Sequence, residues 1–172
     1  MVAYGLYIYD RHCACCFYSD LAQRPHPDPG PSTLANVLPP PPAYALPASA
    51  ADDAKGKGRL AFDEEAKLVY GVVFSLRNLV SKLSSRDDES FHSVSTTAYK
   101  LHYLRTPTAF HFVLLTSPNH PPLRPLLGQI YTGPFNEFVV RNPLASLDSQ
   151  HSGRGIDNKQ FRRAVENMLA AV

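Results

Sequence analysis

A chain of 172 residues, 44% hydrophobic and 19% charged, has the length and composition of one soluble globular domain with a proper core. Its 17 basic and 15 acidic residues leave a net charge of +2, too weak a field to concentrate on phosphate backbones or acidic lipid, which argues against nucleic acid as a partner. Cys13, Cys15 and Cys16 lie close together with no distant thiol to bridge, which fits a reducing cytosolic compartment, and neither a signal peptide nor a membrane span is legible.

Residues Val2 to Tyr9 alternate, with Tyr4, Leu6 and Ile8 on one side and Gly5, Tyr7 and Tyr9 on the other. Asp10-Arg11-His12 follows as a polar turn, and Cys13 to Ser19 resumes a strand pattern. This reads as a hairpin apolar on both faces, which belongs to a sheet covered on both sides. From about 21 to 60 the chain is rich in proline, at 25, 27, 29, 31, 39 to 42 and 47, and reads as a flexible insertion of the domain. Its Pro39-Pro42 run formally contains a PxxP, although a plain solvated loop is the better reading.

Phe62 to Ser84 is the central element. Leu68, Val69, Val72, Leu76, Leu79, Val80 and Leu83 recur at three- and four-residue steps, and Asp63, Glu64 and Glu65 supply acid to the first turn. The spacing predicts a long amphipathic helix with that aliphatic stripe on the core. Tyr70, Phe74, Arg77 and Ser81 then fall on the opposite, solvated side, and aromatic and arginine side chains concentrate energy at interfaces.

Three strand-like runs follow, Phe91 to Thr97, Ala98 to Arg105 and Ala109 to Thr116, forming an antiparallel meander. Pro121 and Pro122 open a helix carrying Leu123, Leu126, Leu127, Ile130, Tyr131 and Phe138, which Gly133-Pro134 should kink or split before it ends near Asn142-Pro143. Asp157, as an acidic cap with Gln160 three residues later, introduces a last amphipathic helix through Phe161, Val165, Met168, Leu169 and Val172. The order ββαβββαα predicts an α+β (α/β) domain over 1–172: a five-stranded antiparallel sheet with one long helix on one face and two helices on the other.

Catalytic chemistry finds little support. Adjacent Cys15 and Cys16 in a strand point to opposite faces, so with His12 and Cys13 they read as small buried thiols rather than converging zinc ligands. No nucleophile signature surrounds His92, His102, His111 or His120, and Gly56-Lys57-Gly58 and Gly153-Arg154-Gly155 lack the context of a phosphate cradle. No catalytic residue, metal site or cofactor is expected. Val2 stands where myristoylation needs glycine, and the C-terminal Ala170-Ala171-Val172 is no prenylation signal, so membrane association is expected to be indirect.

The segments KLVYGVVFSLRNLVSKLS (67–84), YKLHYLRTPTAFHFVLLT (99–116) and PLRPLLGQIYTGPFNEFVVRNPL (122–144), with LYIYDRH near the start, resemble the small longin-fold subunits of the TRAPP tethering complex, the family of subunit one, "bet-five" in fungi. That resemblance implies a longin-like (profilin-like) fold and a non-catalytic cytoplasmic chain, peripheral at Golgi and endoplasmic reticulum membranes. The implied partners are a second longin-type subunit, bet-three-type subunits and a Rab GTPase of the early secretory pathway. The complex would act as guanine-nucleotide exchange factor in ER-to-Golgi and Golgi transport, with this chain in its Rab-binding platform. Such platforms commonly present their first helix, which makes Tyr70, Phe74, Arg77, Asn78, Ser81 and Lys82 the candidate partner-binding residues. The alternative is a longin-type small chain of a vesicle coat adaptor, a scaffold and cargo module without exchange activity.

Overall fold

Alternation in Ala3–Tyr9 (β1) and Cys15–Asp20 (β2) produces the expected hairpin, and Ser93–Ser95 (β3), Lys100–Arg105 (β4) and His111–Thr116 (β5) form the meander. All pair antiparallel in one sheet of order β2-β1-β5-β4-β3. This computed structural model describes residues 2–22, 30–38, 60–84, 91–145 and 148–171. Because neighbouring strand residues face opposite ways, Leu6, Ile8, Phe17, Phe112 and Leu114 join one core. Tyr7, Tyr9, Tyr18, Tyr103 and Val113 join the other. Phe62–Leu83 (α1) covers the tyrosine side. The opposite side is covered by Arg124–Ile130 (α2), its π-helical continuation Tyr131–Val140, and Lys159–Ala170 (α4), with a single turn, Ser149–Ser152 (α3), between them. The fold is therefore the longin-like α+β arrangement that the sequence predicts.

Asp10 holds the β1–β2 turn together. It is almost fully buried, and Oδ1 accepts from the backbone N–H groups of His12 (2.8 Å) and Ala14 (3.0 Å), while Oδ2 accepts from the Ser149 hydroxyl. With both of its oxygens hydrogen-bonded, the carboxyl group can sit inside, and the turn passes through Cys13 at φ 65°.

Part of the proline-rich stretch is built into the fold. Between Pro31 and Pro39 no proline interrupts the chain, and Leu34, Val37 and Leu38 are available to pack. Val37 is fully buried, and Ala35 donates to the Gly153 carbonyl (3.2 Å) and accepts from the Gly155 N–H (2.8 Å). The rest of the insertion, Pro39-Pro42 included, lies outside the described residues. Gly155 fits where a side chain would not: an added Cβ would stand 2.6 Å from the Cys16 carbonyl oxygen and 2.7 Å from Val37 Cγ2. Ile156 N donates to that same oxygen at 2.7 Å, and the Arg162 guanidinium donates to the Tyr18 carbonyl at 2.7 Å, so the outer edge of β2 is covered. Gly155→Ala is expected to cost about 1–3 kcal/mol through overpacking against backbone that cannot give way. Chemical denaturation measures it, and hydrogen exchange should show the loss concentrated at β2 and residues 30–38.

Two helix details differ from expectation. Around Gly133-Pro134 the helix is not cut off but changes type: the α-helix gives way at Tyr131 to a π-helix over Tyr131–Val140, closing with Arg141 N bonded to Asn136 O at 3.0 Å. Proline lacks the N–H of an α turn and crowds the preceding one, and a wider turn relieves both. The cap of α4 is Asn158, not Asp157: its side chain accepts from Gln160 N (2.9 Å) and Phe161 N (3.2 Å), the reach that an N-cap requires.

Candidate interaction face on the long helix

Where α1 touches the sheet departs from the predicted stripe. Phe62, Ala66 and Val73 are its buried residues, and Val69, Tyr70, Leu76 and Val80 pack beside them. At 3.6 residues per turn this core line is rotated by roughly 80° from the centre of the predicted stripe. Leu68, Val72, Leu79 and Leu83 are exposed instead, by 58%, 39%, 52% and 76%. The cause is the row of tyrosines beneath. Tyr9 donates to the Ala66 carbonyl (2.8 Å) and Tyr7 to Glu65 Oε1 (2.6 Å), and both bonds fix the roll of the helix through its polar groups. A count of aliphatic residues is blind to that.

The six candidate residues divide accordingly. Tyr70 is half-buried, with its ring 5.1 Å from Tyr9, 5.8 Å from His111 and 6.5 Å from Phe74. The Cys13 thiol donates to its hydroxyl at 2.8 Å. Burial, and then that thiol contact, push the Tyr70 phenol up to about 12. Arg77 is half-buried too, close enough to His111 and Tyr103 for its charge to act on both. Phe74 is 51% exposed, and Asn78, Ser81 and Lys82 are exposed. Tyr70 and Arg77 thus leave the solvated side assigned to them and root the face in the sheet, whereas the other four present it.

His111 shows what that rooting does. Tyr103, whose phenol is raised by burial and so keeps its proton, sits 2.7 Å from His111 Nδ1, which accepts. Burial first, and then the Arg77 and Arg105 charges, hold the imidazole down at about 4, hence neutral at pH 7. A stacked, neutral Tyr103–His111 pair is a stiff floor for the helix.

Among the described residues no three His, Cys, Asp or Glu side chains cluster as a metal site, and no helix is long and apolar enough to cross a membrane. The thiols differ from expectation in one respect: Cys16 is buried and Cys15 half-buried, but Cys13 is exposed. Cys15, pushed up to about 12 by burial, keeps its proton and is no nucleophile at neutral pH.

Fold and face together define a longin-like α+β module that presents one face of its long helix to solvent. Comparison with known proteins sharpens the class: the chain belongs to the Sybindin-like family, whose sequence model matches residues 3–171. It is 38% identical to "Transport protein particle subunit bet5" of Schizosaccharomyces pombe, over 98% of this chain and 96% of that protein. It is 30% identical to "Trafficking protein particle complex subunit 1" of Rattus norvegicus, over 100% of this chain and 94% of that protein. Identity to "Trafficking protein particle complex subunit BET5" of Saccharomyces cerevisiae is also 30%, over 99% and 97%.

Proposed function

We propose that this chain, as one longin-like unit, is a core subunit of a TRAPP-type vesicle-tethering complex. With a second longin-type subunit it forms part of the platform on which a Rab GTPase of the early secretory pathway loses its nucleotide. Full-length similarity to subunits of such complexes supports membership. The observation that carries Rab contact is the face of α1, where Phe74, Asn78, Ser81 and Lys82 are exposed above a floor of Tyr70, Arg77 and His111. The second subunit finds an edge at β3: among the described residues no strand pairs with its outer side, while residues 154–156 and Arg162 cover β2.

Exchange needs no acid or base from this chain. A factor that binds the nucleotide-free GTPase more tightly than the loaded one lowers the barrier to nucleotide loss by that difference in affinity. Surface complementarity is the mechanism, and stiffness is its requirement, since a floor that yielded would spend the binding energy on its own distortion.

Phe74→Ala is the cleanest probe, because Arg77 and Tyr70 also support the fold. An aromatic at the centre of an interface is worth about 2 kcal/mol or more, so exchange by the reconstituted complex should fall at least about tenfold, with the complex intact and the melting temperature of this subunit unchanged. Unaltered release of fluorescent nucleotide from an intact mutant complex removes this face from the GTPase. Co-purification with coat adaptor chains instead would favour the adaptor reading.

A further inference from the structure

Arg77 stands three residues after Phe74 on α1, and the fold places two further guanidinium groups beyond it. Arg105, the last residue of β4, pairs with His111 across the sheet, so both side chains lie on the α1 side. Arg77 and Arg105 are each near enough to His111 and Tyr103 for their charges to act on both rings. Arg124, at the start of α2, then lines with Arg105 a cleft of about 470 Å³ whose walls include Phe91, Tyr103 and Thr106. The three arginines thus form a strip that begins beside the exposed Phe74 ring. No carboxylate answers it: among the described residues none of the three forms an ion pair or donates a side-chain hydrogen bond. Elsewhere the cations are engaged, Arg11 with Asp148, Lys67 with Asp63, and Arg162 with the Tyr18 and Val37 carbonyls. Because the whole chain carries only +2, three uncompensated guanidinium groups along one margin are a local excess greater than that of the entire protein.

We infer that the Arg77–Arg105–Arg124 strip attracts and orients a carboxylate-bearing patch of the GTPase, so that the arginines bring the partner in and Phe74 holds it. The inference rests on the proposed contact of the GTPase with α1 and names the chemistry of the surface that the GTPase presents. A guanidinium is a planar fork that matches a carboxylate, and a cleft walled by two of them gives an acidic side chain a defined place to enter. Charges at the margin of an interface act chiefly on the association rate, through an attraction that salt screens, while a buried aromatic acts on dissociation. Fast encounter serves a partner that returns in every exchange cycle and does nothing for a subunit seated once. A planar bilayer meets cations that protrude, whereas Arg77 is half-buried and Arg105 and Arg124 wall a recess.

The test is stopped-flow association of the nucleotide-free GTPase with the reconstituted complex across a salt series. It compares the wild-type chain with the Arg105→Ala, Arg124→Ala double variant, which removes two exposed side chains and leaves the half-buried Arg77 in place. Wild-type association should slow by about tenfold or more from low to high salt. The double variant should associate about tenfold more slowly at low salt and lose most of the salt dependence, with dissociation within about twofold of wild type. Arg105→Lys, Arg124→Lys keeps the charges and should restore most of the rate, which a merely structural role would not predict. Phe74→Ala should do the reverse, dissociating faster while its association keeps the wild-type response to salt. Wild-type association that ignores salt, an alanine variant as fast as wild type, or a lysine variant as slow as the alanine one would each overturn the inference. So would loss of binding to equimolar phosphatidylserine–phosphatidylcholine vesicles with the GTPase kinetics untouched, since the strip would then belong to lipid. A complex that exchanges nucleotide with full speed in the alanine variant sinks this inference alone. A complex that never binds the GTPase sinks the functional reading with it.

Discussion

Acidification from pH 7 to pH 4 is expected to remove about 6 kcal/mol of folding stability through two histidines. His102 and His111 are both buried, and burial first holds each down at about 4, with the charge of Lys100 adding at His102 and those of Arg77 and Arg105 at His111. Both are bound as neutral rings. His102 Nδ1 accepts from Leu123 N at 3.3 Å, leaving Nε2–H to donate to Thr116 Oγ1 at 3.1 Å, and His111 Nδ1 accepts from Tyr103. A proton on either Nδ1 destroys the bond that it accepts.

The sign follows from which state binds the proton first. In the unfolded chain an imidazole titrates near 6.5, so between that pH and about 4 the unfolded state holds the extra proton. Stability is complete above pH 6.5, falls by about 1.4 kcal/mol per pH unit for each histidine on the way down, and levels off below 4. Against a usual total of 5–15 kcal/mol, the loss brings the chain close to unfolding. Urea titrations at pH 7.0, 5.5 and 4.5 measure it, and the His102→Gln, His111→Gln double variant should flatten the curve. Equal stability at pH 7.0 and 4.5 would contradict the neutral tautomers. Asp148, held down at about 2 chiefly by its bonds to Arg11 and His151, acts in a separate window below pH 4 and on the surface.

The fold was legible because two-faced strands and a long periodic helix leave few arrangements open. The roll of α1 was not. It is set by the Tyr7 and Tyr9 hydroxyls gripping Glu65 and the Ala66 carbonyl, polar contacts between residues more than fifty positions apart, while hydrophobic spacing counts only the aliphatic residues. The same blindness hid Asp10, whose role as the buried hub of a turn depends on Ser149 at the far end of the chain. The candidate face was half legible: of the four residues that a wheel puts on the solvated side, Phe74 and Ser81 are exposed, whereas Tyr70 and Arg77 belong to its floor, and Asn78 and Lys82, which only the family resemblance suggested, are exposed beside them. Tyr103 and His111, eight positions apart across the β4–β5 hairpin, are a signal that could have drawn attention to that floor, since diagonal neighbours on paired strands share a face and can stack.

Phe135→Ala should destabilise the chain by about 3–5 kcal/mol, where Phe74→Ala changes stability by less than about 0.5 kcal/mol. Phe135 is fully buried in the π-helical segment, with ring centroids 5.2 Å from Phe110 and from Phe112 and 6.0 Å from Phe161. Truncating it opens a cavity lined by three aromatic rings whose strands and helices are pinned elsewhere, so the site cannot collapse to recover the lost contacts. It sits in the wide turn directly after Pro134, and with Val139 it is one of the two buried residues of the π-helical segment. Differential scanning calorimetry compares the two phenylalanine variants directly, and nucleotide exchange by the assembled complex supplies the second axis. Phe135→Ala should lose exchange only in proportion to the chain that unfolds, and recover it when a lower temperature restores the fold. Phe74→Ala should fold fully and stay slow at every temperature. If both variants lost activity and stability together, the two sides of the sheet would be one cooperative support, and the helix face could not be credited with binding of its own.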